Sequence, residues 1–384
     1  MNDIYNYFLH SQPKLSKTSL AGFQKFVAKA GNPFENFKTI HIAWTNGKGS
    51  VAQMLFSILK TTGYNVGIFT SPHLIDLRER IKTSKWCISL YELAKIVEYL
   101  KKIDPANQLG FFEKLTLASR LHFASQKVEY AIIETWMWGR LDPTNVISNP
   151  IITTITSIWW DHTHILGNTL KKIAYEKAGI IKDSVPVVVN FQNQIIKKVA
   201  AQKKAPLIRV YWKKATNLHW DHQQKNAALA YKIGRLIWID KNTIKHGLLS
   251  VAHPWRLQYL LPNLLIDWAH NQNWFKVLKN YLDQISARWS KTNLIITLKQ
   301  TKNPDIVKKN FDSVDAVLKI YHPFLNQSAL AKKLDLPLIS PQLLYQQALK
   351  NPQELFVVFW SLYWIWEFLK ELKAHHLYEP STLC

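Results

Sequence analysis

At 384 residues, with 47% hydrophobic and 20% charged side chains, the chain is long enough for two domains with self-sufficient cores and is neither disordered nor fibrous. Cys87 and Cys384 are its only cysteines, which excludes a disulfide framework and favours a reducing compartment. The formal net charge of +23 is carried largely by lysines scattered in pairs rather than in one basic arm. It therefore reads first as solvated surface, next as a field that draws anionic substrates, and last as a nucleic-acid face.

The first residues carry Asp3 among polar side chains and no basic region followed by an apolar run, so no signal peptide and a cytoplasmic location are expected. Strand-like runs then alternate with helical periodicity. Strands are predicted at 39–43, 65–71, 130–135, 151–158, 186–190 and 206–211, with a second series at 264–269, 293–298, 316–321 and 355–359. Helices are predicted at 51–61, 90–102, 112–125, 170–181 and 222–234. Between the two series, 246–256 contains Gly247, Ser250 and Pro254 and reads as a hinge. The apolar stretch 355–369 is interrupted by Ser361 and Glu367 and is too short to span a bilayer. The expectation is α/β, with mainly parallel sheets: a larger domain over 1–250 and a smaller, Rossmann-like one over 251–384.

The segment HIAWTNGKGS, 41–50, falls at the end of the first strand and directly before a helix. A phosphate-binding loop needs that context: small residues turn backbone N–H groups toward phosphate, the helix N-terminus favours negative charge, and Lys48 can reach the outer oxygens. Trp44 stands where such a loop has glycine.

From here the sequence resembles the folylpolyglutamate synthase and dihydrofolate synthase family of the Mur ligase superfamily, whose loop reads GTNGKGS. The resemblance continues through TSPHL (70–74), RERI (78–81), FEKLT (112–116), ETWMWGRLDPTNV (134–146), SIWWDH (157–162) and YEKAGI (175–180). It extends through DHQQKNAALA (221–230), PWR (254–256), DWAHN (267–271) and WSLY (360–363). It implies a Mur-ligase-like P-loop ATPase domain over 1–250 and a glutamate-ligase domain over 251–384. The implied reaction is ligation of L-glutamate to a reduced folate or dihydropteroate by ATP through an acyl phosphate; another Mur-type amide ligase is the runner-up.

By the same resemblance, Thr45, Asn46, Gly47, Lys48, Gly49 and Ser50 cradle the nucleotide, with Asn226, Arg256 and Asp267. Ser71 and Glu134 would hold one magnesium, and Glu134 with His162 a second. Lys177 matches a lysine that the family carbamylates. Arg80 matches an arginine near the active site, and His270 and Ser361 match residues at the amino-acid side. Each has a plainer reading: Ser71 as a helix cap, Lys177 and Arg80 as surface charges, Asp267 as a turn residue. The implied partners are small molecules alone, with no nucleic acid, no membrane and a monomeric state, and closure about the hinge would exclude water from the acyl phosphate.

Two counts depart from the ordinary. An average globular chain of this length has about 27 glycines, whereas this one has 12, together with 16 tryptophans. Trp44, Trp136, Trp138, Trp159, Trp220, Trp255, Trp268 and Trp360 occupy glycine positions of the family, and Trp274 and Trp366 belong with them. An indole at Trp44 or Trp138 would fill the volume of the triphosphate and its metal. Two explanations compete: an inactive homologue, or UGA codons that the cell reads as glycine and that appear here as tryptophan. Decay would not spare Lys48, Glu134, His162 and Asp267, which favours the second.

Overall fold

The computed structural model describes residues 2–11, 19–43, 47–73, 76–160, 167–218, 221–253, 258–267, 272–297, 316–321, 339–360 and 362–374. The chain divides into two compact units, Met1–His253 and Pro254–Leu383.

The first unit is built on β1 (Lys38–Ala43), β2 (Val66–Phe69), β3 (Ile81–Thr83), β4 (Tyr130–Glu134), β5 (Ile152–Ile155), β6 (Val187–Val189) and β7 (Leu207–Arg209). These form a seven-stranded sheet in the order β3-β2-β4-β1-β5-β6-β7. Every neighbouring pair is parallel except β2 with β3. β4 is buried along its whole length, as a strand covered on both faces must be.

Side-chain alternation sorts the sheet into two cores. Ile40, Ile42, Ile68 and Ile132 face α3 (Lys48–Thr61), α8 (Asp221–Leu236) and α9 (Lys241–Leu249), while Phe69, Ala131 and Ile133 face α1 (Asn2–Leu9), α2 (Ala21–Lys29), α4 (Leu90–Ile103) and α5 (Phe111–Ser125). Two further helices, α6 (Leu170–Ala178) and α7 (Gln194–Gln202), precede β6 and β7. α3 leads from β1 back to β2, whereas β4 is followed by β5 on the other side of β1. The neighbouring ends of β1 and β4 therefore mark a topological switch point, where open α/β sheets bind ligands.

The second unit has β8 (Gln258–Leu261), β9 (Leu264–Asp267), β10 (Lys291–Thr297), β11 (Ala316–Tyr321) and β12 (Glu354–Trp360), ordered β11-β10-β12-β9-β8. Only β8 runs antiparallel to its neighbour. Its helices are α10 (Gln272–Ile285), α11 (Pro341–Lys350) and α12 (Leu362–Ala374).

Periodicity locates the ten long or parallel strands and five helices. It misses the short antiparallel edges β3 and β8, and the helices α1, α2, α7, α9, α10, α11 and α12. The predicted hinge at 246–256 needs correction: its first residues complete α9, because Asp240 caps that helix through the N–H groups of Asn242 and Thr243, and Ser57 Oγ donates to Gly247 O at 2.7 Å. Within the described residues only 250–253 are irregular there. Among the described residues no helix is long and apolar enough to cross a membrane.

Candidate active site

β1 delivers the chain to Gly47, which caps α3 at φ +87°, a conformation that disfavours any side chain. A Cβ there would lie 2.8 Å from the amide atoms of Asn226, so α8 packs directly against the loop. Asn226 Nδ2 donates to Gln223 Oε1 at 3.1 Å, and Gln223 Nε2 donates to Ser50 Oγ at 3.1 Å. Ser50, Gln223 and Asn226 are all buried.

Lys48, the first residue of α3, reaches across to the end of β4. Its Nζ lies 3.4 Å from Glu134 Oε1 and donates to Trp136 O at 2.7 Å. Glu134 is fully buried, and burial pushes its carboxyl up to about 7 against the opposing pull of Lys48. The Ser71 backbone N–H also favours the charged carboxylate. Glu134 Oε2 and Ser71 Oγ are both buried and neither reaches a hydrogen-bond partner. Two hard oxygens left open beside a loop lysine suit magnesium, which binds few protein oxygens and keeps waters and phosphate oxygens for the rest. Among the described residues no cluster of three His, Cys, Asp or Glu side chains forms a fuller cage. The residues present fit the ion.

Arg80 is buried beside this carboxylate. Burial lowers its guanidinium to about 10, with Glu134 the leading opposing charge. Its Nε donates to His73 Nδ1 at 2.7 Å, and its Nη1 has no partner. Burial, with the neighbouring guanidinium, pulls His73 down to about 3, so the imidazole is a neutral acceptor. Arg80 is thus a buried cation with an open donor and not a surface charge.

The loop after β4 is strapped to α6. Gly139 and Gly179 lie so close to the opposite backbone that a Cβ would come within 2.1 Å and 2.3 Å of it. Arg140 N donates to Glu176 O at 2.7 Å, and Asp142 takes the Trp136 N–H at 3.0 Å. The strap holds Lys177, buried on α6, with its Nζ donating to Met137 O.

The structure thereby brings Gly47, Lys48, Gly49, Ser50, Asn226, Ser71, Glu134, Arg80 and Lys177 to neighbouring positions around the ends of β1 and β4. In the second unit, Asp267 ends β9, buried and in register with Phe359 of β12. Thr45, Asn46, His162, Arg256, His270 and Ser361 lie outside the described residues. Motif reading passed over His73 and Gln223, although each stands within three residues of a residue it singled out.

Trp86, Trp136, Trp138, Trp159, Trp160, Trp212, Trp238 and Trp289, the tryptophans whose exposure is described, all lie outside the core. Trp238, which the motifs did not flag, is 92% exposed at φ +69°. Its N–H bonds Arg235 O at 3.3 Å and the next N–H, of Ile239, bonds Gly234 O at 3.0 Å. That double bond pattern is the helix ending whose left-handed residue is ordinarily glycine.

Residues 42–246 match the Mur ligase middle domain, so the larger unit is the central domain of a Mur-type ligase. The chain is 30% identical to the dihydrofolate synthase/folylpolyglutamate synthase of Bacillus subtilis (strain 168), over 95% of this chain and 98% of that one. It belongs to the dihydrofolate synthase/folylpolyglutamate synthase family. The crystal structure of the Thermotoga maritima folylpolyglutamate synthase superposes with a TM-score of 0.82 at 27% identity, covering 98% of both chains. A folylpolyglutamate synthase structure described as a complex with AMPPCP and folate superposes with a TM-score of 0.80 at 25% identity, covering 97% of this chain and 99% of that one.

Proposed function

We propose that this chain ligates L-glutamate to a folate at the expense of ATP, and that dihydropteroate is a second acceptor. The observation that carries the reading is the pairing of Lys48 with Glu134, beside the two open oxygens of Glu134 and Ser71, at the switch point of the sheet. The family supports it, as does the similar structure whose description names AMPPCP and folate together.

In this reading a substrate carboxylate attacks the γ-phosphorus of ATP, the bond to the bridging β-oxygen breaks, and acyl phosphate and ADP form. The amine of glutamate then attacks the acyl carbon; phosphate leaves, a proton is lost, and an amide remains. Gly47 and the first N–H groups of α3 receive the phosphates, and Lys48 carries positive charge to them. Glu134 and Ser71 would hold magnesium, which neutralises charge on the transferring phosphoryl group. Arg80 offers its open N–H to an anionic group near Glu134. Lys177 holds the loop after β4 through Met137 O, and a carbamate on it would add a further oxygen ligand. Thr45, Asn46, Arg256 and Asp267 complete the nucleotide site, His162 the second metal site, and His270 and Ser361 the amino-acid side. The chain acts as a monomer in the cytoplasm on small molecules alone.

The reading includes glycine, in the protein as its own cell makes it, at the motif tryptophans. The competing reading, an inactive homologue, rests on Trp44 in the phosphate loop. Incubation with ATP, a reduced folate and labelled glutamate separates them. The chain carrying glycine at 44, 136 and 138 incorporates label and the tryptophan chain does not; no incorporation by the glycine chain would remove the ligase reading.

A further inference from the structure

Gln223 has no role among the motif residues, yet it sits between two of them. It is 1% exposed, so bulk water does not satisfy its amide. Its two ends are used in one direction: Asn226 Nδ2 donates to its carbonyl at 3.1 Å, and its own Nε2 donates to Ser50 Oγ at 3.1 Å. A serine hydroxyl has one proton to give and two lone pairs to receive with. Near the start of a helix that proton ordinarily turns onto a nearby backbone carbonyl. Here Gln223 occupies the accepting side of Ser50, and no other hydrogen bond reaches this hydroxyl among the described residues.

We propose that Gln223 is the positioning residue of the phosphate loop, polarising a relay from Asn226 to Ser50 so that the Ser50 hydroxyl is left as a donor to the incoming phosphate. The inference rests on reading the loop as a nucleotide site. Ser50 lies in the first turn of α3, where the helix N-terminus already favours an anion, so one more aligned donor adds to a field pointing the same way. The same relay holds the Asn226 amide against Gly47, 2.8 Å from where a Cβ would be. One carboxamide thus ties α8 to both ends of the loop's turn, across 173 residues of sequence.

The test is calorimetric titration of ADP with magnesium into the glycine-carrying chain, comparing Gln223, Gln223→Met and Gln223→Glu in Ser50 and Ser50→Ala backgrounds. Methionine keeps the volume and removes both hydrogen bonds. Glutamate keeps the shape but accepts from Ser50, turning its proton away from the site. Each substitution weakens ADP binding about tenfold, the size of a hydrogen bond to a charged group, with the binding stoichiometry held at one. In the Ser50→Ala background the loss shrinks to about threefold or less. Unchanged affinity, or an equal loss in both backgrounds, overturns the proposal. Failure of the unsubstituted glycine chain to bind ADP would instead overturn the nucleotide reading beneath it.

Discussion

Trp238 carries a bulky side chain where the backbone is left-handed, a conformation that costs an ordinary residue about 1–2 kcal/mol. Its indole is 92% exposed and recovers little of that through packing. Replacing it with glycine should raise the unfolding free energy by about 1 kcal/mol in urea titrations, despite glycine's greater freedom in the unfolded chain. If UGA is read as glycine, peptide mass spectrometry of the protein from its own cell finds glycine at 44 and at 238; tryptophan mass at 44 would sink the decoding explanation. His41 poses a different problem. It is fully buried, its Nε2 meets Thr144 Oγ1 at 2.8 Å, and burial, then Lys182 and Arg120, hold it well below its ordinary value. Folded His41 stays neutral while the unfolded residue takes a proton below about pH 6.5. Its contribution is therefore present above that pH and lost as pH falls, at up to about 1.4 kcal/mol per pH unit. In His41→Gln that part of the acid slope disappears from the unfolding free energy; an unchanged slope would assign it to other groups.

At the scale of elements, α5 shows how a helix with charged residues can sit inside a core. Residues 112–120 are all buried. Lys114 is satisfied, donating to Tyr7 O at 2.7 Å and Asn107 Oδ1 at 2.6 Å. Arg120, two turns on, has no hydrogen-bond partner on any of its nitrogens and lies over the rings of Phe34 and Phe37, at 4.8 Å and 5.6 Å. Burial lowers its guanidinium to about 9. Ring faces offset only part of the desolvation of a cation. Arg120→Met should therefore stabilise the fold by about 1–4 kcal/mol, read as a raised urea midpoint at unchanged slope. A lowered midpoint would show that the guanidinium is compensated in solution. The strap between the loop after β4 and α6 behaves oppositely. A methyl group at residue 139 meets Glu176 O, so Gly139→Ala must displace Lys177 and Trp136 together.

For the whole molecule, the net charge of +23 matters because ATP, folate and glutamate are all anions. If the scattered lysines raise their local concentration, KM for ATP climbs severalfold between about 0.05 and 0.5 M salt while kcat holds. A flat KM would return the lysines to plain solvated surface. Much of this molecule is legible in the chain alone. Apolar runs and helical spacing placed the parallel strands, since central ones such as β4 are covered on both faces and record that in their own residues. The loop at 47–50 stood out because phosphate chemistry needs those types after a strand, and the acid at 134 through the family resemblance. The short edges β3 and β8 and the helix α9 escaped, because Lys82 and Gln258 leave those edges without a continuous apolar run and because α9 takes its place from packing on α3. Only the tertiary structure decided that Lys48 meets Glu134, that Ser71 and Glu134 are left with open oxygens, that Arg80 is buried, and that Gln223 joins Ser50 to Asn226. The physical reason is the same in each case: side-chain type and spacing are local, whereas desolvation and hydrogen-bond partners come from segments far apart in the chain.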